Sequence, residues 1–566
     1  MKGFSSNADL EVFDNFAPVR KTFAQIVDEA ALNYPNREAF IIGKDRITFL
    51  QFQERANQIA KGLMSIGVRK GDHTAILMHN IVEYPLAAMG IIKAGGLIVP
   101  CNTRYKKDEL EYVLKKAKIS TLVMVDEFPE ANISYWNLVN QLIPELSSSD
   151  PGKLKSEKFP DLKRVVIFKS GNFKGCYSVD DLEKLKARIS DNDLETRQAE
   201  IDPDDNGLMI FTSGTTGFPK GVLLRHTGLV TSSETMKRAW NINENDKMLS
   251  YIPYFTVYGT VTGLVGPFVF GIPVIIGNVF NPKEFLEYIE KERASILCTV
   301  PAMMELLYAH PDFPKTDFSS LKAGNIGGAL CPPEMMRRAR SNKKGWGMDC
   351  PEMSTVYGLT ETHSGITTCV LGDPEEKAVH TVGRVYPLNE LRIVDPVTGE
   401  DKEQGQEGEV IVRGNAIMSG YYDDPEQTAE KIRDGWLYTG DLGVLDKDGY
   451  LTITGRATDM IITGAFNVYP KEIENKILEH PKVMSVSAFA VPDKKYGEVP
   501  MVAVILKPGE NMSTDDLISF CKEKMGSYKV PRYVEFVNEF PINPGGKVQK
   551  FKQKEWAIAK LGLSDI

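Results

Sequence analysis

The hydrophobic pattern in the first half of the chain alternates between short apolar runs and longer segments with helical spacing. The longer segments repeat apolar residues every three or four positions, as amphipathic helices do. Thr48 followed by Gln51 is typical of a capping box, and Gly67 of a helix end. This order predicts an α/β fold with parallel, doubly wound sheets covered by helices on both faces. The predicted strands lie at 39–42, 74–78, 98–100 and 121–125.

The second half of the chain has a different texture. Short strands separated by Gly- and Asp-rich turns predict a small β-barrel-like part at about 381–455. From Gly455 onward, helices predicted at 470–478 and 514–524 alternate with strands, as they do in a compact α+β domain. We therefore predict an N-terminal domain at 1–455, which includes the barrel-like part, and a mobile C-terminal domain at 456–566.

One long stretch, 248–282, carries no charged residue. It is long enough to cross a bilayer, but prolines and glycines interrupt it throughout. A buried helix at 257–268 followed by a buried strand at 274–276 fits the pattern better. We therefore predict that the protein has no membrane span.

Composition narrows the class of protein further. A chain of 566 residues predicts roughly two to four domains. The net charge of −9 disfavours a nucleic-acid partner. The seven cysteines never form a CxxC pair, which favours a reducing compartment over disulfides or a zinc site. No signal-peptide pattern begins the chain, so we predict a cytoplasmic protein.

A loop rich in Gly, Ser and Thr follows the apolar run 208–211 and precedes a second apolar run at 222–224. Glycines let successive N–H groups converge on an anion, hydroxyls add donors, and a lysine adds a mobile positive charge. A solvated turn would have a similar composition. Lys220 is followed by Gly221, so this is not a GK[ST] mononucleotide loop. The candidate phosphate ligands are Thr212, Ser213, Gly214, Thr215, Thr216, Gly217 and Lys220.

Five further stretches lie in a characteristic order after this loop. They are GNIGGA at 324–329, STVYGLTET at 354–362, GWLYTGDLG at 435–443, 455–470 and PINPGGKVQK at 541–550. With the loop, they make the chain similar to the adenylate-forming (AMP-binding) superfamily, and within it to medium-chain fatty acyl-CoA synthetases. The resemblance extends over about residues 22–555.

The resemblance implies a role for residues in each stretch. Thr360 would contact the α-phosphate of ATP, and Glu361 would hold Mg²⁺. Lys547, on a Gly-Gly loop, would be the catalytic lysine together with these two residues. The implied nucleotide ligands are Gly327, Gly328 and Ala329 at the adenine wall, Tyr357 and Gly358 over the adenine, and Asp441 and Arg456 at the ribose.

Three positions depart from the family pattern. Thr458 stands where a Lys or Asp commonly forms the interdomain hinge, and hinges are not restricted to one residue type. Ala465 replaces a glycine in the loop implied to approach coenzyme A, which contains Gly464, Ala465 and Phe466. Thr256 replaces a histidine beside the implied acyl site. The candidate pocket residues are Tyr254, Phe255, Thr256, Gly259 and Val356, although the two aromatic residues suit a core equally well.

These features together imply an acid-thiol ligase. It would use ATP and Mg²⁺ to convert a medium-chain fatty acid, or a cyclic or aromatic acid, to an acyl-adenylate, and then transfer the acyl group to coenzyme A. An acyl-AMP ligase that loads a carrier protein is the alternative, and a nucleotide-binding regulator without catalysis is a third. The sequence determines neither the acid nor the oligomeric state, and a homodimer is compatible with it.

Overall fold

A computed structural model describes residues 10–212, 219–329, 331–456, 459, 461–463, 466–468, 470–542 and 548–563. Close Cα packing divides these residues into two units. The first unit contains the described residues up to Glu390 together with Arg413–Gly435, and the second contains Leu391–Val412 and the described residues from Trp436 onward. The predicted boundary at 455–459 falls inside the second unit, so the domain division at that point stays a prediction.

An eight-stranded sheet forms one layer of the first unit. Its central strands are parallel, and the strands Asn206–Thr212 and Lys220–Arg225 pair antiparallel at one side. In spatial order the strands are Gly420–Tyr421, Lys220–Arg225, Asn206–Thr212, Leu97–Pro100, His73–Leu77, Thr121–Met124, Arg164–Ile167 and Tyr177–Ser178.

A seven-stranded sheet forms another layer of the same unit, and only its Glu38–Ile42 and Asp45–Thr48 pair is antiparallel. One face packs on the helices Pro282–Glu292 and Pro301–Ala309 through fully buried side chains such as Leu297 and Phe285. In spatial order its strands are Glu352–Ser354, Ala323–Ile326, Ile296–Thr299, Met248–Ser250, Val274–Ile276, Glu38–Ile42 and Asp45–Thr48.

One helix of the first unit begins where a local sequence signal predicts it. Thr48 caps Phe49–Ser65 with a reciprocal capping box to Gln51, as predicted. The other α-helices are Phe23–Asn33, Glu83–Lys93, Lys107–Lys116, Tyr135–Leu142, Val179–Leu185, Asp191–Ala199, His226–Ala239, Pro333–Arg340, Glu375–His380 and Pro425–Lys431. Three short strands, Val356–Tyr357, Thr367–Thr368 and Arg384–Val385, form a small antiparallel sheet.

The uncharged stretch folds as predicted into a buried helical segment and the strand Val274–Ile276. The helical segment begins with the turn Val257–Gly259, widens to π-helical turns at Thr260–Val265 and returns to an α-helix at Gly266–Phe270. Ser233 donates a hydrogen bond to the Val261 carbonyl at 3.1 Å, which satisfies part of the widened turn. No helix in the described part of the chain is both long enough and apolar enough to cross a bilayer.

The second unit has two sheets. The first contains Asn389–Val394, Gly408–Gly414, Trp436–Leu445 and Leu451–Arg456, and its longest strands pair antiparallel. The second contains Phe466–Val468, Ile461–Thr463, Gly497–Leu506, Val483–Asp493 and Tyr533–Phe536. Helices Pro470–Leu478, Thr514–Lys524 and Lys550–Leu561 complete the unit. The first two of these helices have the bounds that the sequence pattern predicts.

Candidate active site

The predicted phosphate loop connects two paired strands. Thr212 ends one strand and lies opposite Lys220, which begins the next. The Lys220 ammonium donates a hydrogen bond to Gln427 Oε1 and lies 5.2 Å from the centre of the Tyr421 ring. The predicted loop ligands Ser213, Gly214, Thr215, Thr216 and Gly217 lie outside the described residues.

Glu361 is fixed from two directions. Its backbone carbonyl accepts a hydrogen bond from the Met418 N–H at 2.9 Å, and its Oε1 accepts one from the Tyr421 hydroxyl at 2.9 Å. Burial raises the pKa of Tyr421, and the nearby Glu361 carboxylate raises it further. The hydroxyl therefore stays protonated and donates the hydrogen bond. Tyr421 therefore connects Lys220 and Glu361, which are far apart in sequence.

The motif that contains Glu361 is tied down by a buried histidine. His363 has a left-handed backbone, with φ of 50°. Its Nδ1 donates to the Ala416 carbonyl at 2.7 Å, and its Nε2 accepts the Arg225 N–H at 3.0 Å. Burial lowers the pKa of His363 to about 4, so the neutral ring keeps both contacts at neutral pH. His363 thereby joins the motif to the strand that begins at Lys220.

Gly358 has a steric reason to be glycine. A Cβ atom there would lie 1.7 Å from the Ser364 carbonyl oxygen, so the chain folds back on itself at this point. The neighbouring motif residues Tyr357, Thr360 and Glu361 are partly exposed. The motif is thus a tight turn that leaves three of its predicted functional side chains open to a ligand.

The predicted adenine wall lies at the carboxyl end of the strand Ala323–Ile326. Gly327 is buried, whereas Gly328, with φ of 76°, and Ala329 are exposed. Ligands of open α/β sheets bind at the carboxyl ends of strands, so this position suits a nucleotide.

The predicted acyl pocket residues occupy two environments. Phe255, Thr256 and Val356 are partly exposed. Tyr254 is only 1% exposed and stacks on the Tyr84 ring at 4.6 Å, so it belongs to the core in this structure. Gly259 is also buried, and a Cβ atom there would lie 2.1 Å from the Pro253 carbonyl oxygen. Its missing side chain lets the helix pack on the preceding loop.

Thr256, where relatives are expected to have histidine, is a helix N-cap. Its Oγ1 accepts the Gly259 N–H at 3.0 Å and donates to the Pro253 carbonyl at 2.8 Å. The hydroxyl therefore shapes the loop at 253–256.

Asn80 holds the same loop from the other sheet. Its amide donates to the carbonyls of Ile252 at 3.1 Å and Gly277 at 3.2 Å, and it accepts the Tyr254 N–H at 3.1 Å. Asn80 is 4% exposed. One side chain thus connects the carboxyl ends of strands from the eight-stranded and seven-stranded sheets.

In the second unit, the two predicted ribose ligands are neighbours. Asp441 and Arg456 are paired in register on adjacent strands, and Arg456 Nε lies 3.0 Å from Asp441 Oδ1. Lys547, Gly464 and Ala465 lie outside the described residues. Phe466 begins the strand Phe466–Val468.

Sequence reasoning did not find Tyr421, His363, Asn80 or Gln427. His363 directly follows the motif at 354–362, which could have drawn attention to it. The other three carry no local signal, because their partners are distant in sequence.

Comparison with known proteins shows the family of this chain. A family model described as AMP-binding enzyme matches residues 27–422, and one described as AMP-binding enzyme C-terminal domain matches residues 472–547. The chain therefore belongs to the AMP-binding enzyme family, whose members are ATP-dependent and adenylate-forming.

Two relatives align over nearly the whole chain. The Bacillus subtilis (strain 168) protein named "Putative acyl-CoA synthetase YngI" is 38% identical over 549 residues, which cover 96% of this chain and 99% of that protein. The "Medium-chain acyl-CoA ligase ACSF2, mitochondrial" of Rattus norvegicus is 34% identical over 554 residues, which cover 96% of this chain and 89% of that protein.

Among solved structures, ATP-bound MatB from Rhodopseudomonas palustris superposes with a TM-score of 0.80 at 25% identity and covers 94% of this chain and 99% of its own. These findings confirm the predicted superfamily, the predicted fold class and the predicted enzyme class, an AMP-forming acyl-CoA synthetase.

Proposed function

We propose that the protein activates a medium-chain fatty acid, or a cyclic or aromatic acid, in two steps. A carboxylate oxygen attacks the α-phosphorus of ATP, and the bond to pyrophosphate breaks. The sulfur of coenzyme A then bonds to the acyl carbonyl carbon, the thiol proton is lost to solvent, and AMP leaves. The observation that carries the proposal is the contact of Tyr421 with both Glu361 and Lys220. The Glu361 carboxylate suits Mg²⁺, and the Lys220 ammonium suits phosphate.

Glu361 suits a magnesium ion bound mainly by phosphate. Mg²⁺ usually takes one or two carboxylates, phosphate oxygens and several waters. The described residues contain no cluster of three or more His, Cys, Asp or Glu side chains arranged to hold a metal by themselves. The Tyr421 hydroxyl donates a hydrogen bond to Oε1 of Glu361. The other carboxylate oxygen, Oε2, accepts no hydrogen bond from the described residues. Mg²⁺, when bound, neutralises phosphate charge as pyrophosphate forms.

The remaining residues position the reactants and balance their charges. Two anions, the acid and ATP, must approach in line, so charge neutralisation and orientation dominate catalysis. In this proposal Lys547 supplies the decisive positive charge, Lys220 holds the leaving pyrophosphate, and Thr360 contacts the α-phosphate. Asp441 accepts the ribose hydroxyls, and its ion pair with Arg456 fixes its direction.

Separate assays of the two half-reactions test this assignment. Lys547→Ala should lower adenylation, measured as acid-dependent ATP–pyrophosphate exchange, by about 10²–10³-fold, the typical effect of losing one preorganised donor. It should leave thioester formation from supplied acyl-adenylate largely intact. Lys552→Ala, an exposed lysine of the following helix, is the matched control. Equal loss of both half-reactions would refute the role of Lys547.

The acyl acceptor is tested by AMP release. Release that requires coenzyme A supports the proposal. Adenylate that stays bound until a carrier domain is added would instead support a ligase that loads carrier proteins.

A further inference from the structure

Glu474 is a buried carboxylate of the second unit that has partners on three elements. It lies in the helix Pro470–Leu478 and is 7% exposed. Its Oε1 accepts hydrogen bonds from the Lys550 ammonium at 2.8 Å and from the Ala488 N–H at 3.0 Å. The Lys471 ammonium lies 3.5 Å from its Oε2. These partners keep the carboxylate stable inside the unit, because a buried charge without partners is strongly unfavourable.

Lys550 stands at an electrostatically unfavourable place for a lysine. It begins the helix Lys550–Leu561, and Lys552 follows in the same turn. The N-terminal end of a helix carries a partial positive charge, which repels cations there. The Glu474 carboxylate offsets this repulsion at Lys550, so the ion pair favours a helix that begins at this residue.

A second buried contact attaches the same end of this helix. Gln553 is 3% exposed, and its Oε1 accepts a hydrogen bond from the Ser487 hydroxyl at 2.6 Å. Ser487 is next to Ala488, whose N–H holds Glu474, and both belong to the strand Val483–Asp493. The two contacts therefore attach the first turn of the helix to one strand.

The segment that contains Lys547 is closed at its two ends. Ile542 and Val548 form an antiparallel bridge, and the Gln549 N–H donates a hydrogen bond to the Pro541 carbonyl at 2.7 Å. Lys547 lies outside the described residues, but it is bonded to Val548, and consecutive Cα atoms are about 3.8 Å apart. The position of Val548 therefore limits where the Lys547 ammonium can reach.

On this basis, and resting on the proposed function, we propose that Glu474 and Lys550 are positioning residues for Lys547. Their ion pair fixes the end of the closed segment, three positions along the chain from Lys547. Without the pair, the backbone that carries Lys547 shifts, and the charge that neutralises the two reacting anions is misplaced. A misplacement of about 1 Å can lower a rate by about 10²-fold.

Separate assays of the two half-reactions test this role. Lys550→Met should lower acid-dependent ATP–pyrophosphate exchange by about 10–100-fold. Thioester formation from supplied acyl-adenylate should stay within about threefold of wild type, a change of less than one kcal/mol. Lys550→Arg retains a positive charge beside Glu474 and should restore most of the exchange rate.

A double-mutant cycle shows whether the two residues act as a pair. Glu474→Gln should lower the exchange rate to a similar extent. Its combination with Lys550→Met should cause little further loss, because the effects of residues in direct contact do not add.

Lys554→Met is the matched control. It breaks another ion pair of the same helix, in which Lys554 Nζ lies 3.0 Å from Glu498 Oε1. It should leave both half-reactions unchanged. If Lys550→Met does not fold, Lys550→Gln replaces it.

The outcomes separate the two proposals. Suppose that Lys547→Ala loses adenylation selectively. Unchanged exchange in the Lys550 variant, an equal loss of both half-reactions, or fully additive losses in the double variant then overturns this inference alone. If Lys547→Ala loses both half-reactions equally, the role of Lys547 in the proposed function fails, and this inference fails with it.

Discussion

The hydroxyl of Tyr421 donates a hydrogen bond to Glu361 at 2.9 Å, while the ammonium of Lys220 lies 5.2 Å from the centre of the same ring. A single aromatic side chain therefore orients the predicted metal ligand and contacts the predicted phosphate ligand. Tyr421 pairs with Val222, and Gly420 with Leu223, on the strand that begins at Lys220, so the sheet itself sets this relationship.

Tyr421→Phe should weaken magnesium-dependent adenylation. The substitution removes one hydrogen bond to a charged group, which is worth about 1.5–3 kcal/mol, so kcat/KM for ATP should fall by about 10–100-fold. Titration of ATP–pyrophosphate exchange with Mg²⁺ measures the effect. Tyr135→Phe, which removes a buried hydrogen bond to the Thr103 carbonyl, should leave the titration unchanged. Equal effects of the two substitutions would mean that Tyr421 is only structural.

Lys220→Ala should raise the KM for ATP by about tenfold or more, because a phosphate loses a charged partner. Gln427→Ala removes the residue that holds the Lys220 ammonium in this structure. It should change the KM by no more than about threefold, since the Lys220 charge is retained. Steady-state kinetics with varied ATP distinguish the two. A rise of more than threefold in the KM for ATP with Gln427→Ala would show that Gln427 itself takes part in nucleotide binding.

Folding stability should fall as the pH drops from about 6.5 towards 4. Burial lowers the pKa of both His226 and His363 to about 4, below the ordinary value of about 6.5. Between these pH values the unfolded chain binds more protons than the folded chain. The stability that each histidine contributes is therefore fully present above about pH 6.5 and is lost as the pH falls towards 4. Each histidine can contribute up to about 3 kcal/mol.

Urea unfolding at pH 7 and pH 5 measures this dependence. His363→Gln should flatten it, whereas the exposed His380→Gln should leave it unchanged. An equally steep loss of stability in the His363 variant would exclude this histidine as a contributor.

Asn80→Ala should destabilise the first unit and loosen the loop at 253–256, which contains residues of the predicted acyl pocket. It removes three hydrogen bonds from a buried position and leaves two carbonyls and one N–H without that partner, at a cost of about 2–4 kcal/mol. The KM for the acid should rise more than the KM for ATP. Asn140→Ala removes one hydrogen bond within its own helix, to the Trp136 carbonyl, and is the control. Equal increases of both KM values would refute a specific effect on the loop.

Local patterns predicted most of the fold. The capping box of Thr48 and Gln51 and the helix Thr514–Lys524 depend on residues a few positions apart, so their sequence signals are strong. The helices Tyr135–Leu142, Val179–Leu185 and Asp191–Ala199 escaped prediction because each is short, and Asp191–Ala199 has only one buried residue, Leu194.

The site was predictable only in part. Motif order selects Glu361, Asp441 and Arg456 as candidates, because each belongs to a contiguous stretch. The partners that hold the site residues could not be read in this way: Asn80 is 172 residues from Ile252, and Tyr421 is 60 residues from Glu361. Their pairing results from the stacking of two sheets and the packing of a late strand, which no local pattern encodes.

The π-helical turns at Thr260–Val265 change the angle, around the helix axis, between side chains at the two ends of this helical segment. Consecutive residues of an α-helix are about 100° apart around the axis, so a change of winding by one residue redirects everything beyond it. The wide turns therefore set the rotation of the end that carries Thr256 relative to the end that carries Phe268 and Phe270, which are buried in the core. The direction of the loop at 253–256 thus depends on the winding of this helix as well as on the sheets.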